Sequence, residues 1–203
     1  MPAEPARGEG ASEPVTARPA LRALLALALL TACAQRPPWA NGRLVWERAS
    51  QNPVPQDLGD LESRVLAIHN RERAAIGLLP LSWDPALATA AAGYGPTLSR
   101  LGRLEHSDYS TRWGQGENLF MGTRGAYSVD EMLAGWVEEK RLFRPGTFPK
   151  VSRSGHGEDV GHYTQMIWRT TSRVGCAIHS DAKWDFLICR YSPPGNILKH
   201  RVP

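Results

Sequence analysis

Two strand-like runs late in the sequence, separated by a short polar turn, limit the fold more than any other feature. Residues 173–179 and 184–191 alternate apolar with polar side chains, and the segment Ser-Asp-Ala-Lys at 180–183 stands between them. A period of two on both sides of a turn is typical of an antiparallel hairpin. The C-terminal part of the chain is therefore predicted to contain an antiparallel sheet.

The sequence before this hairpin carries helix signals instead. Leu61, Val65 and Ile68 recur at the spacing of one helical face, and Gly77 follows where a glycine commonly ends a helix. Early helices followed by late strands predict the α+β class with an antiparallel sheet. Further helices are predicted to begin at Asp84, Ser128 and Gly161.

Two of these helix starts have a specific chemical signature. Asp84 precedes Pro85, an N-cap followed by proline at the first helical position. Ser128 and Glu131 have the spacing of a capping box, in which each residue satisfies a free backbone N–H of the other. Inside the second helix, the glycine and proline residues of segment 93–96 predict a break or a kink.

The N-terminal segment reads as an export signal. Residues 1–22 show no apolar periodicity, and an uninterrupted apolar run follows at 23–30. This run is too short for a permanent membrane span and is typical of a secretory signal peptide, predicted over 1–32. It ends in Leu-Thr-Ala-Cys, which resembles a bacterial lipobox, so Cys33 is predicted to carry a lipid; the alternative is an ordinary signal peptide in which Cys33 has no role.

The remainder divides into a linker and one domain. Four prolines among polar residues predict that segment 33–57 is a tether, although Trp39 and Trp46 can pack back on the domain. The folded domain is predicted over 58–203. Cys176 and Cys189 lie almost symmetrically about the hairpin turn, so an exported chain is expected to join them in a disulfide; two reduced, buried thiols are the alternative.

Composition and motifs exclude several classes of protein. The 203 residues are 42% hydrophobic and 22% charged, which is typical of a globular protein and not of a disordered, collagen-like or multi-span membrane chain. The formal net charge is +4 and the basic residues are scattered, so no nucleic-acid partner is expected. The sequence contains no phosphate-binding loop, dinucleotide fingerprint, GxSxG elbow, HExxH or CxxC motif.

Four His and Glu residues in glycine-rich or aromatic segments are the candidate site. Two imidazoles and two carboxylates can hold a divalent metal, and the same groups can instead share protons without one. Their spacing alone does not decide between a site and scattered surface residues. They are His106 in LEHSD, Glu117 in GQGENLF, Glu139 in WVEEK and His162 in GHYTQMIW.

Longer segments supply a resemblance. GHYTQMIWRTTSRVGCA and FLICRYSPPGNI closely resemble the two signature segments of the CAP superfamily, the cysteine-rich secretory, antigen-five and pathogenesis-related-one proteins. The resemblance extends through WVEE, GENLF and LEHS, and covers about residues 60 to 200. It implies a three-layer α-β-α sandwich with a shallow cleft. In that cleft His106, Glu117, Glu139 and His162 match the family's tetrad, and Glu139 is preferred to Glu138 because it stands three residues after Trp136.

Neighbouring residues receive mainly structural expectations. His69 is expected to be structural and His179 to lie at a solvated or edge position, whereas His156 is a candidate to approach the cleft. Asn118 is expected to fix its loop by hydrogen bonding, and Trp136 to belong to the core.

Three functions are consistent with this resemblance. The preferred one is a non-enzymatic extracytoplasmic binding module whose cleft holds a divalent cation, such as Zn²⁺, and a small or lipidic ligand, for example a sterol. The second is a hydrolase with a metal-bound water and glutamate as base. The third is an interaction protein of the cell envelope, held at the membrane by its lipid anchor, in which the tetrad is only structural.

Overall fold

The computed structural model describes residues 45–47 and 60–203. The predicted signal peptide, Cys33 and most of the predicted tether lie outside these residues. The helices are α1 Leu61–Ala74, α2 Pro85–Leu101, α3 Val129–Glu138 and α4 Gly161–Met166. The strands are β1 Val45–Trp46, β2 Ser82–Trp83, β3 Gly116–Thr123, β4 Gly146–Thr147, β5 Arg173–Ser180, β6 Trp184–Ser192 and β7 Arg201–Val202.

The main sheet has five strands in the order β1-β3-β6-β5-β2. The three long strands β3, β6 and β5 are antiparallel, as the sequence predicts for β5 and β6. The short edge strands differ, because β1 runs parallel to β3 and β2 runs parallel to β5. Each parallel pair is joined through a long connection that contains a helix, which is what a parallel crossover requires.

Alternate residues of β6 show that the sheet is covered on both faces. Phe186 and Ile188 pack in one cluster with Ala91 and Leu98 of α2. Leu187, between them, packs on the other face, in the cluster that contains the apolar residues of α1 and α3. The result is helix, sheet and helices in three layers, as predicted.

Trp46 of β1 belongs to this core although it stands in the predicted tether. Its ring centroid lies 6.1 Å from that of Phe120 and 6.2 Å from that of Tyr127. A Cβ on Gly135 of α3 would lie 3.2 Å from the Trp46 ring, so the glycine leaves room for the indole. The folded part of the chain therefore includes residues N-terminal to 58.

Helix α2 runs through residues 93–96 without the break that the sequence predicted. The helix continues through Pro96 to Leu101, and Asp84 caps its start by accepting the N–H of Ala86 at 2.9 Å. Gly95 has a packing role, because a Cβ there would lie 2.4 Å from the Cβ of His179 on β5. The small residue allows the helix to approach the sheet closely.

Other local predictions hold. Ser128 and Glu131 form the capping box, and Gly77 has a positive φ of 70° just after α1. The predicted disulfide is present: Cys176 and Cys189 face each other directly on β5 and β6 and are bonded. Closing a loop of this length stabilises a domain by about 3 kcal/mol. In the described part of the chain, no helix combines the length and apolar character needed to cross a bilayer.

Candidate functional site

The first candidate pair, His106 and Glu117, joins the loop after α2 to the start of β3. His106 Nδ1 lies 2.7 Å from Glu117 Oε1, and Ser107 donates to the same carboxylate from its backbone N–H at 3.0 Å and from its hydroxyl at 3.1 Å. Arg190, opposite on β6, places a guanidinium nitrogen 3.0 Å from Glu117 Oε2. The carboxylate is therefore engaged at both oxygens by groups of its own chain.

Burial and neighbouring charges shift the pKa of Glu117 in opposite directions. The Glu117 side chain is fully buried, while that of His106 is 58% exposed. Burial raises the pKa of Glu117, but the His106 hydrogen bond and the Arg190 charge together hold it below its ordinary value. Burial also lowers the pKa of Arg190, against the attraction of Glu117. Glu117 is thus a carboxylate at neutral pH and holds His106 in one orientation.

The second pair joins the end of α3 to the start of α4. His162 Nδ1 lies 2.5 Å from Glu139 Oε1, and the backbone N–H of Tyr163 donates to Glu139 Oε2 at 2.9 Å. The His162 ring stacks on Trp136, with centroids 5.6 Å apart and planes 9° from parallel. Glu138, the neighbouring candidate, is half-exposed and pairs with Arg141. The structure therefore places Glu139 against His162.

Asn118 connects the two pairs through β3. Its side chain points to the face opposite that of Glu117, where Nδ2 donates to the backbone carbonyl of His162 at 3.1 Å and to the Tyr191 hydroxyl at 3.2 Å. The hydrogen-bonding role predicted for Asn118 is present, and it holds α4 against the sheet.

The four side chains form two hydrogen-bonded His–Glu pairs. His106 and Glu117 line a cleft of about 360 Å³, together with Tyr109, Gln165 and Asn196. Within the described residues, no group of three or more His, Cys, Asp or Glu side chains is placed to hold a metal ion.

The second pair borders a different space. Glu139 and His162 line a narrow pocket of about 10 Å³, walled by the rings of Trp46, Phe120 and Trp136. Convergence of the two pairs on one cleft stays a prediction.

Three other histidines line neither of the two spaces. His156 is exposed and lies 3.3 Å from Glu158, so it does not approach the cleft. His69 is buried in α1, and His179 packs beside Gly95 of α2.

Sequence reasoning missed two residues that complete the first pair. Ser107 and Arg190 supply the hydrogen bonds and the countercharge of Glu117. Ser107 follows His106 directly, so its position in the sequence could have indicated its role. Arg190 is separated from Glu117 by 73 positions and meets it only through the register of β3 and β6.

Comparisons with known proteins show the family of the chain. The model of the cysteine-rich secretory protein family, CAP, matches residues 66–191. Pathogenesis-related protein PR-1 of Medicago truncatula is 37% identical over 142 residues, which is 69% of this chain and 78% of that protein.

Solved structures confirm the predicted fold class. The crystal structure of Na-ASP-1 matches with a TM-score of 0.60 and 22% identity, over 72% of this chain and 42% of that one. The crystal structure of NaASP2 with Zn²⁺ matches with a TM-score of 0.58 and 20% identity, over 74% of this chain and 87% of that one. The family model, the plant relative and the shared fold lead to one conclusion: the chain belongs to the cysteine-rich secretory protein (CAP) family.

Proposed function

We propose that the chain is an extracytoplasmic binding module in which His106 and His162 hold a divalent cation, with Zn²⁺ as the expected ion, beside a cleft for a small ligand. The proposal rests on the hydrogen bonds that the two carboxylates make. Glu117 and Glu139 each bind an imidazole Nδ1 and, in addition, N–H or O–H groups of their own chain. They therefore orient the histidines.

This arrangement fits a metal site in its donor chemistry. A histidine that ligates a metal commonly donates its other ring N–H to a carboxylate, which fixes the tautomer. With Nδ1–H directed to glutamate, Nε2 keeps its lone pair, and no hydrogen bond from a described residue reaches Nε2 of either histidine. Such an ion would act as a Lewis acid toward a bound ligand. NaASP2, a protein of the same fold, was crystallised with Zn²⁺.

The same observation favours binding over hydrolysis. A metal-dependent hydrolase needs a carboxylate that is free to accept a proton from water. Both oxygens of Glu117 and both oxygens of Glu139 are already hydrogen-bonded. The lipid or sterol ligand stays a prediction from the family resemblance.

Zinc titration tests the metal proposal. Calorimetry at neutral pH is expected to show Zn²⁺ binding that is lost in His106→Ala and in His162→Ala and unchanged in His156→Ala. Glu139→Gln is expected to weaken binding by about 10–100-fold, because it removes the orienting carboxylate. Affinity is expected to fall in acid, because imidazole must be neutral to ligate. Equal binding by all variants, or none by the wild type, would contradict the proposal and favour a structural role for the pairs.

The proposed location is the outside of the cytoplasmic membrane, with Cys33 lipidated. The support is the Leu-Thr-Ala-Cys sequence and the secretory character of the family. Cells fed an alkyne fatty acid are expected to label the wild type but not Cys33→Ser. Export and folding of the variant serve as the control. Label on the variant, or an unlabelled wild type, would contradict the anchor.

A further inference from the structure

An exposed aromatic pair lies next to the cleft that His106 lines, with one ring lining the cleft and the other packed against the first. Tyr109, in the turn Tyr109–Arg112, lines the cleft. Its ring lies 5.3 Å from that of Trp113 in an edge-to-face arrangement. Trp113 is 78% exposed and Tyr109 is 49% exposed, so neither contributes to a core cluster. Large aromatic rings left in solvent beside a cleft commonly mark a recognition surface.

Gln115, which also lines this cleft, has a buried side-chain oxygen without a partner among the described residues. Gln115 Oε1 is buried, and no described residue donates a hydrogen bond to it. The Gln115 backbone is held in place, since its carbonyl accepts from Arg112 at 2.9 Å. A buried acceptor is expected to be satisfied by something, and a ligand that carries hydroxyl or amide donors would satisfy it.

The amides on the opposite wall are fixed by their own contacts. Gln165 accepts from the backbone N–H of Gly195 at 2.8 Å, and Asn196 accepts from the Thr164 hydroxyl at 2.7 Å. The cleft is therefore formed before a ligand arrives, and its volume of about 360 Å³ lies in the range of small-molecule sites.

We infer that this cleft binds a saccharide, with a sugar ring packed on Trp113 beside Tyr109 and with the Gln115 side chain turned toward the cleft, so that Oε1 accepts from a hydroxyl or acetamido group of the sugar. A pyranose has both an apolar C–H face and a set of donors, which matches an exposed aromatic pair and an unsatisfied acceptor. A lipid chain would bury the carboxylate, imidazole and amide groups of the cleft without hydrogen bonds, which is unfavourable. The inference rests on the proposed function, because it assigns a ligand class to the same cleft.

A bilayer surface is the competing partner for the aromatic pair. Trp and Tyr are also favoured at membrane interfaces, and exposed Ile197 borders the same cleft. Gln115 Oε1 distinguishes the two partners, because a membrane that contacts the rim would leave the buried acceptor unsatisfied.

The test uses the full chain, calorimetry and two probes, N-acetylglucosamine tetramer and cellotetraose. The wild type is expected to bind at least one probe, and Trp113→Ala is expected to weaken that binding at least about tenfold, as for an exposed aromatic anchor. Gln115→Met, of similar size but without the acceptor, is expected to weaken it as well. Leu79→Ala removes an equally exposed side chain, 83% accessible, outside the cleft and serves as the matched control.

Zinc titration of the same variants separates this inference from the proposed function. Trp113→Ala is expected to bind Zn²⁺ as the wild type does, since neither ring belongs to a His–Glu pair. A wild type that binds Zn²⁺ but neither saccharide overturns the saccharide inference alone. Saccharide binding that is equal in Trp113→Ala and Gln115→Met also overturns it. Trp113-dependent binding to phosphatidylglycerol vesicles, with no saccharide binding, would assign the aromatic pair to a membrane instead.

Discussion

Replacing Arg73 by methionine is expected to lower the free energy of unfolding by about 3–5 kcal/mol, because the change leaves buried carbonyls without a donor. Arg73 is 1% exposed. Burial lowers its pKa to about 10, so it is charged at neutral pH. Its guanidinium donates to four backbone carbonyls, those of Leu79, Met166, Trp168 and Thr171, at 2.8–3.0 Å.

The position of these carbonyls explains why the effect is large. Met166 ends α4, and Trp168 and Thr171 belong to the turn that leads into β5. Arg73 thus joins α1 to the segment directly after the helix that carries His162. Methionine fills much of the volume but donates nothing, so the carbonyls lose their partner while remaining buried.

Urea unfolding at neutral pH measures this loss as a shift of the midpoint. Arg71→Met is the matched control, because Arg71 stands on the same helix with a side chain 65% exposed, and its partner Glu72 keeps the ion pair with Lys140. That control is expected to change the free energy of unfolding by no more than about 0.5 kcal/mol. Similar losses in the two variants would show that the carbonyl contacts of Arg73 are not the cause.

The second large effect is a loss of stability in acid caused by His69. Its Nδ1 lies 2.8 Å from the Val65 carbonyl, which can only accept, so Nδ1 carries the proton of the neutral ring. Nε2 then accepts from the Tyr191 hydroxyl at 2.9 Å. Burial lowers the pKa of His69 from 6.5 to about 4, an effect that the Val65 hydrogen bond opposes and the charge of Arg73 reinforces.

A histidine whose pKa is lower in the folded state than in the unfolded state destabilises the fold in acid. As pH falls below 6.5, the imidazole of His69 binds a proton in the unfolded chain. In the folded chain it does so only near pH 4. Unfolding is therefore favoured progressively over this window, and the total loss from His69 is about 3 kcal/mol. Protonation of Nε2 would also break its hydrogen bond from Tyr191.

Unfolding curves at pH 7 and pH 4 test this account. His69→Gln is expected to be less stable than the wild type at pH 7 but to lose about 3 kcal/mol less on acidification. His156→Gln, at an exposed position beside Glu158, is the control and is expected to keep the wild-type pH dependence. An unchanged pH dependence in His69→Gln would assign the acid loss to other groups.

Much of the fold could be predicted from local sequence signals. Asp84 and Pro85 marked the start of α2, Ser128 and Glu131 marked the start of α3, and the alternation around 180–183 marked β5 and β6. Each signal acts within a few residues of the chain, where backbone capping and side-chain period decide the structure.

The central strand β3 could not be predicted in this way. Seven of its eight residues are buried, so its sequence shows no alternation between a core face and a solvent face. The place where Trp46 packs was equally hidden, since it depends on the space left by Gly135 about ninety positions later. Both features are decided by contacts distant in sequence.

The candidate site was predictable only through the family resemblance. His106, Glu117, Glu139 and His162 carry no spacing rule of their own, because they stand on a loop, a strand, a helix end and a helix start. The resemblance supplied the residues but not their state. Both carboxylates are already hydrogen-bonded or ion-paired to Ser107, Tyr163 and Arg190. Only the three-dimensional structure brings these residues together.

Successive side chains of β3 point to opposite faces of the sheet, and this limits where the chain can tolerate insertions or deletions. Glu117 faces Arg190 directly across the sheet and Asn118 faces Cys189, whose disulfide fixes β6 against β5. One residue inserted ahead of Glu117 within the strand would exchange the faces of Glu117 and Asn118. The first pair would then lose Glu117, and the second pair would lose its contact with Asn118. The exposed turn at 153–155 contains no residue of either pair, and its hydrogen bonds run to Leu142, Ser152 and Asp159. Peptide tags or reporter loops for cellular work therefore belong in that turn, and length variation among relatives is expected to concentrate there and not in β3.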